Sequence, residues 1–426
     1  MENNYVMSSR LRTTLIGGII LGALCILLTI LGDDEHLTRF WSNYLHNTVF
    51  FTGIGFISLF ILAAFTTAYA GWYSSFKRVW EAYSLFLIPG LALLSVLVIG
   101  LLLNWHHLYH WANSADVAND EVLKGKSSFL NKGWYSIGTF VIVGIWIFVA
   151  LKIRSLSLAE DQHGTADYNY HRAIRRWSAF FLPVAGFSSA AIIWQWVMSV
   201  DAHWYSTLFA WYTTASWFVS AMALTILTLI YLKSKGYFPN VTVNHFHDLG
   251  KYMFAFSVFW TYLWFSQYML IWYGNVGEET VYFKHRYANY PVMFYGNLIL
   301  NFVLPFLILM RNDSKRKTGI LAFTSVLLLF GHWWDFFLMI KPGVRQTMMH
   351  MTGHAEHAGP AIEKYGFQMG FTLPGPLEVG TMLGFLSLFL WVVLSQLAKA
   401  PLVPANDPYL EESLHHHVWP EVEHEH

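Results

Sequence analysis

Residues 320–340 read ILAFTSVLLLFGHWWDFFLMI, a run whose only ionisable side chains are His332 and Asp335. At 1.5 Å of rise per residue such a run makes a helix about 30 Å long, the thickness of a bilayer's hydrocarbon core. Lys315-Arg316-Lys317 precede it and Lys341 follows it, so the spacing predicts a membrane span ending near Ile340. An acid at the centre of such a span costs roughly 2.5–3.5 kcal/mol, less toward the interface, and is expected to face a protein interior or a polar pathway. A second acid and histidine, Asp201 and His203, close another apolar run. The duplication predicts two related halves, each with a proton-active or ligand-binding pocket near its outer end.

The rest of the chain has the same character. Apolar residues make up 55% and charged ones 12%, which excludes an ordinary soluble domain and a nucleic-acid-binding one. About ten stretches reach membrane length, centred on Leu11–Leu31, Tyr44–Tyr69, Ser84–Leu103, Trp134–Leu151, Trp177–Val200, Phe209–Tyr231, Leu249–Tyr273, Tyr290–Met310, Ile320–Ile340 and Pro376–Leu397. The fold class is therefore all-α integral membrane. The first stretch runs into Gly32-Asp33-Asp34-Glu35 with no small-x-small cleavage site and reads as a retained helix. The single cysteine, Cys25, lies inside it, which leaves no disulfide framework, no cysteine-rich metal site and no C-x-x-C-H haem attachment. Of the 26 Lys and Arg, 17 fall on the side of the two termini and 9 on the other, so both termini are expected in the cytoplasm.

Short loops favour up-down neighbours. Spans two to five and six to nine are expected to form two four-helix bundles, with residues 1–43 and 376–426 contributing peripheral helices. The bundles then occupy 44–208 and 209–340, with an extracytoplasmic loop over 341–375. Asp201/His203 and His332/Asp335 would each end the fourth helix of a bundle, as a parallel internal repeat predicts. Gly18/Gly22 and Gly380/Gly384 are small-xxx-small pairs that let helices approach closely.

Several groups are candidates for chemistry. Gln195, Trp196, Asp201 and His203 join flat aromatic walls to hydrogen-bonding groups, which suits a quinone head group and equally suits an interfacial aromatic belt. At His332 and Asp335, desolvation disfavours charge and each group offers the other a proton partner. Glu81, His245, His247, Asp248 and Lys251 lie at the opposite side and could open a proton entrance, with Gln267 and Ser266 continuing it outward; charged caps on membrane helices are the commoner reading of such residues. Met348, Met349, His350, Met351, His354 and His357 crowd the last outer loop, where Met and His suit copper or zinc, but an interfacial polar loop is the simpler reading and no metal site is assigned. His415-His416-His417 and the final His-Glu-His read as a solvated tail.

Four segments carry a resemblance: His247-Asp248-Leu249-Gly250-Lys251; Trp264 to Asn275 (WFSQYMLIWYGN) followed by Glu278-Glu279; Met198 to Thr207 (MSVDAHWYST); and Asp407 to Ser413 (DPYLEES). Together they resemble the ActF family of bacterial alternative complex III, NrfD-like (polysulfide-reductase-type) membrane subunits of a quinol:cytochrome c oxidoreductase. Ala202 departs from the family, which often has Pro there. The resemblance implies a multi-pass subunit of the bacterial cytoplasmic membrane, without haem or iron–sulfur clusters of its own. Its implied partners are a multihaem cytochrome c subunit, an iron–sulfur subunit, a second NrfD-like membrane subunit and a terminal cytochrome oxidase, along with membrane lipids. It also implies a quinol- or quinone-binding role and proton half-channels through Asp201, His203, His332 and Asp335. An ion- or proton-coupled secondary transporter and a haem-bearing cytochrome are the competing classes.

Overall fold

The computed structural model describes residues 4–164, 168–351 and 366–418. It is built from α-helices: α1 (Ser9–Leu31), α2 (Thr38–Thr67), α3 (Lys77–Ser84), α4 (Leu87–Leu102), α5 (Lys132–His163), α6 (Asn169–Trp196), α7 (Leu208–Ser234), α8 (Val243–Gly274), α9 (Gly277–Asn289), α10 (Pro291–Leu298), α11 (Leu304–Leu309), α12 (Thr318–Met351) and α13 (Pro376–Leu397). Among the described residues nine helical segments are long and apolar enough to cross a membrane. The seventh expected span, Leu249–Tyr273, lies within α8 but is not one of the nine. Its Trp, Tyr, Ser and Gln side chains lower its mean hydropathy although its 32 residues exceed the length needed.

Local chemistry sets the helix ends. Asp33 accepts from the backbone N–H of Phe40 at 2.7 Å and of Arg39 at 3.1 Å, which satisfies donors at the start of α2. Asn131 caps α5 through the Trp134 N–H at 2.8 Å. Between α10 and α11 the helix widens into a π-turn, Ile299–Val303. Such turns recur at functional sites.

α2 and α7 are the most enclosed segments, and both are apolar on all sides, as a helix surrounded by protein must be. α2 packs against α3, α4 and α6; α4 packs against α5, and α5 against α6. α7 packs against α8 and α12, with α10, the π-turn and α11 closing the space between them. α2 also touches α7 and α12. At Gly53 of α2 the Trp217 indole of α7 lies where a side chain would stand, 1.8 Å from the Cβ position. α1 pairs with α13, and a Cβ on Gly22 would meet the Gly384 Cα at 2.5 Å. That closeness is what the small residues permit.

The two terminal segments meet on one side of the molecule. Asn4 bridges to Pro401, and the Val6 N–H donates to the Tyr237 hydroxyl at 3.1 Å. This side is called the tail side here, and the opposite one the loop side.

Two expectations about boundaries are corrected. The ninth span does not end at Ile340: α12 runs on to Met351 through Pro342, so the expected loop over 341–375 begins as helix. Lys341 does not mark a surface. It is 0% exposed, donates to Ser42 Oγ at 2.7 Å and lies over the Phe337 and Phe371 rings. Asp335 therefore sits near the middle of a 34-residue helix rather than near its end.

Candidate functional site

A close polar constellation surrounds Asp335, which is 0% exposed. α7 supplies Tyr212, whose hydroxyl donates to Oδ1, and Ser216, whose hydroxyl lies 3.4 Å from Oδ2. α10 supplies Asn297, donating to Oδ1 at 2.7 Å, and α8 supplies the Trp260 indole, donating to Oδ2 at 3.0 Å. Asn301 in the π-turn donates to Asn297 Oδ1 at 2.6 Å and to the Gly331 carbonyl at 2.9 Å, which fixes the Asn297 amide. Four neutral donors thus meet one carboxyl group that has no cationic partner among the described residues. An ionised carboxyl there has only neutral donors to offset its charge, and a protonated one can turn its O–H to the Ser216 or Tyr212 oxygen, so the shell can receive either state.

His332, one turn before Asp335, does not bond to it directly. Its Nδ1 lies 2.9 Å from Ser216 Oγ, which joins the two side chains, and its Nε2 is buried with no hydrogen-bond partner. Residues three apart on a helix share a face, and Ser216 is the group they share.

Asp201 and His203 separate. Asp201 follows a 3₁₀ turn, Met198–Val200, and its Oδ2 accepts from Arg286 Nη2 of α9 at 2.7 Å. His203 points the other way, is half exposed, and meets Asp120 at 2.6 Å. The two side chains thus take different partners, although both line one polar cleft.

Arg286, 3% exposed at its side chain, is held from several sides. It donates to the Leu338 carbonyl at 3.2 Å and the Met339 carbonyl at 3.2 Å, and it lies 3.4 Å over the Tyr282 ring, which stacks on Trp204 at 3.7 Å. Burial pulls the guanidinium pKa down, but Asp201, by its charge and its hydrogen bond, together with Tyr282 and Tyr290 outweighs it and the net shift is upward. Neighbouring His285 goes the other way: burial, then Arg286 and Arg345, push it down to about 3. At neutral pH the imidazole adds no charge.

These residues connect the two acids. Asp201, Tyr282 and Arg286 line a polar cleft of about 80 Å³ with His110, His203 and Glu278. Tyr282 and Arg286 also wall a smaller cavity of about 20 Å³, which Gln267 and Tyr212 complete. Tyr212 then reaches Asp335. The structure thus places Asp201 and Asp335 at two ends of one region, and not in separate pockets of two halves.

The other expected site residues fall elsewhere. Trp196 donates to Thr139 Oγ1 at 2.9 Å and Gln195 stands beside Gly138, both facing α5, so these two do not share a cavity with Asp201. The four residues expected to frame a quinone head group thus divide, Asp201 and His203 on the polar cleft and Gln195 and Trp196 against α5. On the tail side, Asp248 binds Lys251 and, at 2.6 Å, His416 of the tail, while His245 lies 3.3 Å from Ser413. His416 is therefore docked rather than solvated; residues 419–426, with the final His-Glu-His, lie outside the described residues. His247 lies 4.0 Å from Asp248. Glu81 belongs to a different group, bonded to Arg78 at 2.7 Å, Arg154 at 3.0 Å and Ser157 at 2.7 Å. Asp248 and Trp260 are twelve residues apart on α8, about 18 Å at helical rise, so the tail-side cluster stands well away from Asp335.

Glu160, His171 and Asp407 each place a ligand atom within 4.8 Å of the others, a metal-like grouping. Lys77 Nζ already bridges the two carboxylates, at 3.3 and 2.5 Å, so an ammonium fills the role a metal would take. His354 and His357 of the outer loop lie outside the described residues, as does the side chain of His350.

No family model and no curated protein matches this chain.

Proposed function

We propose that this chain is an NrfD-like membrane subunit of a quinol:cytochrome c oxidoreductase of the alternative complex III type, and that its part is to carry protons over the loop-side half of the membrane. The observation that carries the proton role is Asp335: a buried carboxyl with four neutral donors and, among the described residues, no cation, joined through Tyr212 to a small cavity whose Tyr282 and Arg286 walls also line the polar cleft. The ring of contacts α2–α4–α5–α6 and the ring α7–α8–α11–α12 support reading the core as two four-helix bundles. The basic tail side is then cytoplasmic. Haem c and iron–sulfur clusters belong to partner subunits in this reading.

The residues suggest how a proton moves. Ser216 has one hydroxyl proton. Donated to the Asp335 carboxylate, it leaves the oxygen free to accept from His332 Nδ1–H. A proton arriving at His332 Nε2 lets the Nδ1 proton pass to Ser216 and the Ser216 proton pass to Asp335. The histidine changes tautomer, the serine is restored, and the acid ends neutral. Onward release runs past Tyr212 and Gln267 to the Arg286–Asp201 ion pair at the mouth.

An ion-coupled secondary transporter is the second reading, and the π-turn beside Asn297 and Asn301 favours it, because interrupted helices next to buried polar groups are how such proteins build sites. Purification in mild detergent separates the two. The first reading expects a multihaem cytochrome c, an iron–sulfur protein and a second NrfD-like subunit with the chain, and loss of quinol:cytochrome c reductase activity on its deletion. A chain that purifies alone, with reductase activity intact in the deletion strain, overturns it.

A further inference from the structure

Between the α1/α13 pair and the central helices lies an apolar cavity of about 440 Å³. Its wall includes Leu11 of α1, Phe51 of α2, Leu224 of α7, Phe330 of α12 and Leu386 of α13. Its few polar wall groups include Thr228, whose hydroxyl is already bonded to Tyr83 at 2.6 Å, and Tyr231. Water gains little in such a space, and an empty one forfeits the packing of its whole lining. A bilayer supplies the alternative filler, a hydrocarbon chain.

The shape selects which one. On α13 the lining runs from Met382 to Leu394, twelve residues or about 18 Å at helical rise. Half of a ~30 Å hydrocarbon core is about 15 Å, so the cavity is as deep as one leaflet. The lining ends on the tail side, where Leu11 and Tyr231 form its rim. Basic groups gather at that rim. Arg10 and Arg12 flank Leu11 and are exposed, Arg12 lies 5.6 Å over the Trp391 ring, and Lys235 lies 5.9 Å over the Tyr231 ring. Among the described residues none of the three forms an ion pair with a carboxylate.

We infer that this cavity binds one anionic phospholipid of the tail-side leaflet, an acyl chain filling the space between the α1/α13 pair and the bundles and the phosphate held by Arg10, Arg12 and Lys235. The lipid would complete the packing of a helix pair that otherwise leans on the core mainly through α13. The inference is independent of the proton role.

The test uses the full chain, purified in mild detergent and examined by native mass spectrometry after exchange into detergent containing equal phosphatidylglycerol and phosphatidylcholine. The expected result is one retained phospholipid per chain, with phosphatidylglycerol preferred. The exposed double variant R12Q/K235Q should lose that preference by roughly tenfold, since each basic group near the surface contributes to anionic-lipid binding, while still retaining a lipid. L383W, which fills the cavity from a partly lipid-facing position, should retain none while keeping the same melting behaviour. Should L383W fail to fold, L386F offers a smaller filling of the same space. Equal lipid retention by the wild type and a folded filling variant, an unchanged preference in R12Q/K235Q, or recovery of an isoprenoid quinone in place of phospholipid would each overturn the inference.

Discussion

Replacing Arg286 by Met should be among the most damaging single changes outside the apolar core. The guanidinium is 3% exposed and the Asp201 side chain 9%, so the substitution leaves a nearly buried carboxylate without its cation. Removing one partner of a buried pair costs about 3–5 kcal/mol. The bonds to the Leu338 and Met339 carbonyls are lost as well, which places R286M toward the upper end. D201N should cost less, because an amide still accepts from Nη2 and the carbonyl bonds remain. In the double variant no orphaned charge is left, so the two losses should not add: the coupling should be about 2–3 kcal/mol, within the range for contacting residues. Unfolding of the four proteins in mixed micelles of mild detergent and sodium dodecyl sulfate measures it. Additivity to within about 0.5 kcal/mol would show that Asp201 and Arg286 do not depend on one another and would remove the mouth of the proposed path.

Further expectations follow from other contacts. A Cβ placed on Gly380 lies 2.3 Å from Cys25 Sγ and 3.3 Å from its Cβ, close to disulfide range, so G380C should form a bond with the only native cysteine on mild oxidation; a variant whose two thiols stay free would refute the α1/α13 pairing. Burial pushes the Asp407 carboxyl up, but the Lys77 ammonium at 2.5 Å outweighs it and holds the group below its ordinary 3.8. A depressed acid stabilises above its unfolded value and loses that stabilisation as pH falls through the folded one. The Lys77–Asp407 contribution to tail docking should thus be constant from about pH 5 to 8 and weaken below about pH 4, read as protease sensitivity of residues 399–418 against a D407N control; a wild-type tail equally protected at acid pH would contradict the Lys77 bond.

The sequence made the helices legible because apolar runs of membrane length have few other uses. It also made the α1/α13 contact legible, through the spacing of Gly18, Gly22, Gly380 and Gly384. Asp335 stood out as an acid inside a span, and the structure surrounds it with four hydrogen-bonding side chains. Its partners were missed. Asn297 and Asn301, four residues apart in an apolar run, were a signal of a polar helix face, and Tyr282 and Arg286 had the same spacing in a segment read as loop. Asp201 and His203 were read together because they are close in sequence, but the chain turns between them and each finds a partner from a remote element. Such pairings depend on how helices stack, which a single sequence does not encode locally. The end of the ninth span was misplaced for a related reason. A lysine marks a surface only when no internal hydroxyl and aromatic rings receive it, and Ser42, Phe337 and Phe371 receive Lys341.

The central claim is that Asp335 carries a proton and does not carry electrons or hold substrate. D335N keeps the shape, and its carbonyl oxygen can still accept from Tyr212 and Asn297; its amide nitrogen can donate to the Ser216 hydroxyl, while the Trp260 indole loses its acceptor and the titratable proton is gone. In sealed vesicles containing the complete complex, proton release and cytochrome c reduction are to be followed together with quinol as donor. D335N should reduce cytochrome c at close to the wild-type rate while fewer protons appear per electron. Wild-type proton release per electron in D335N, with a folded and fully assembled complex, would contradict it.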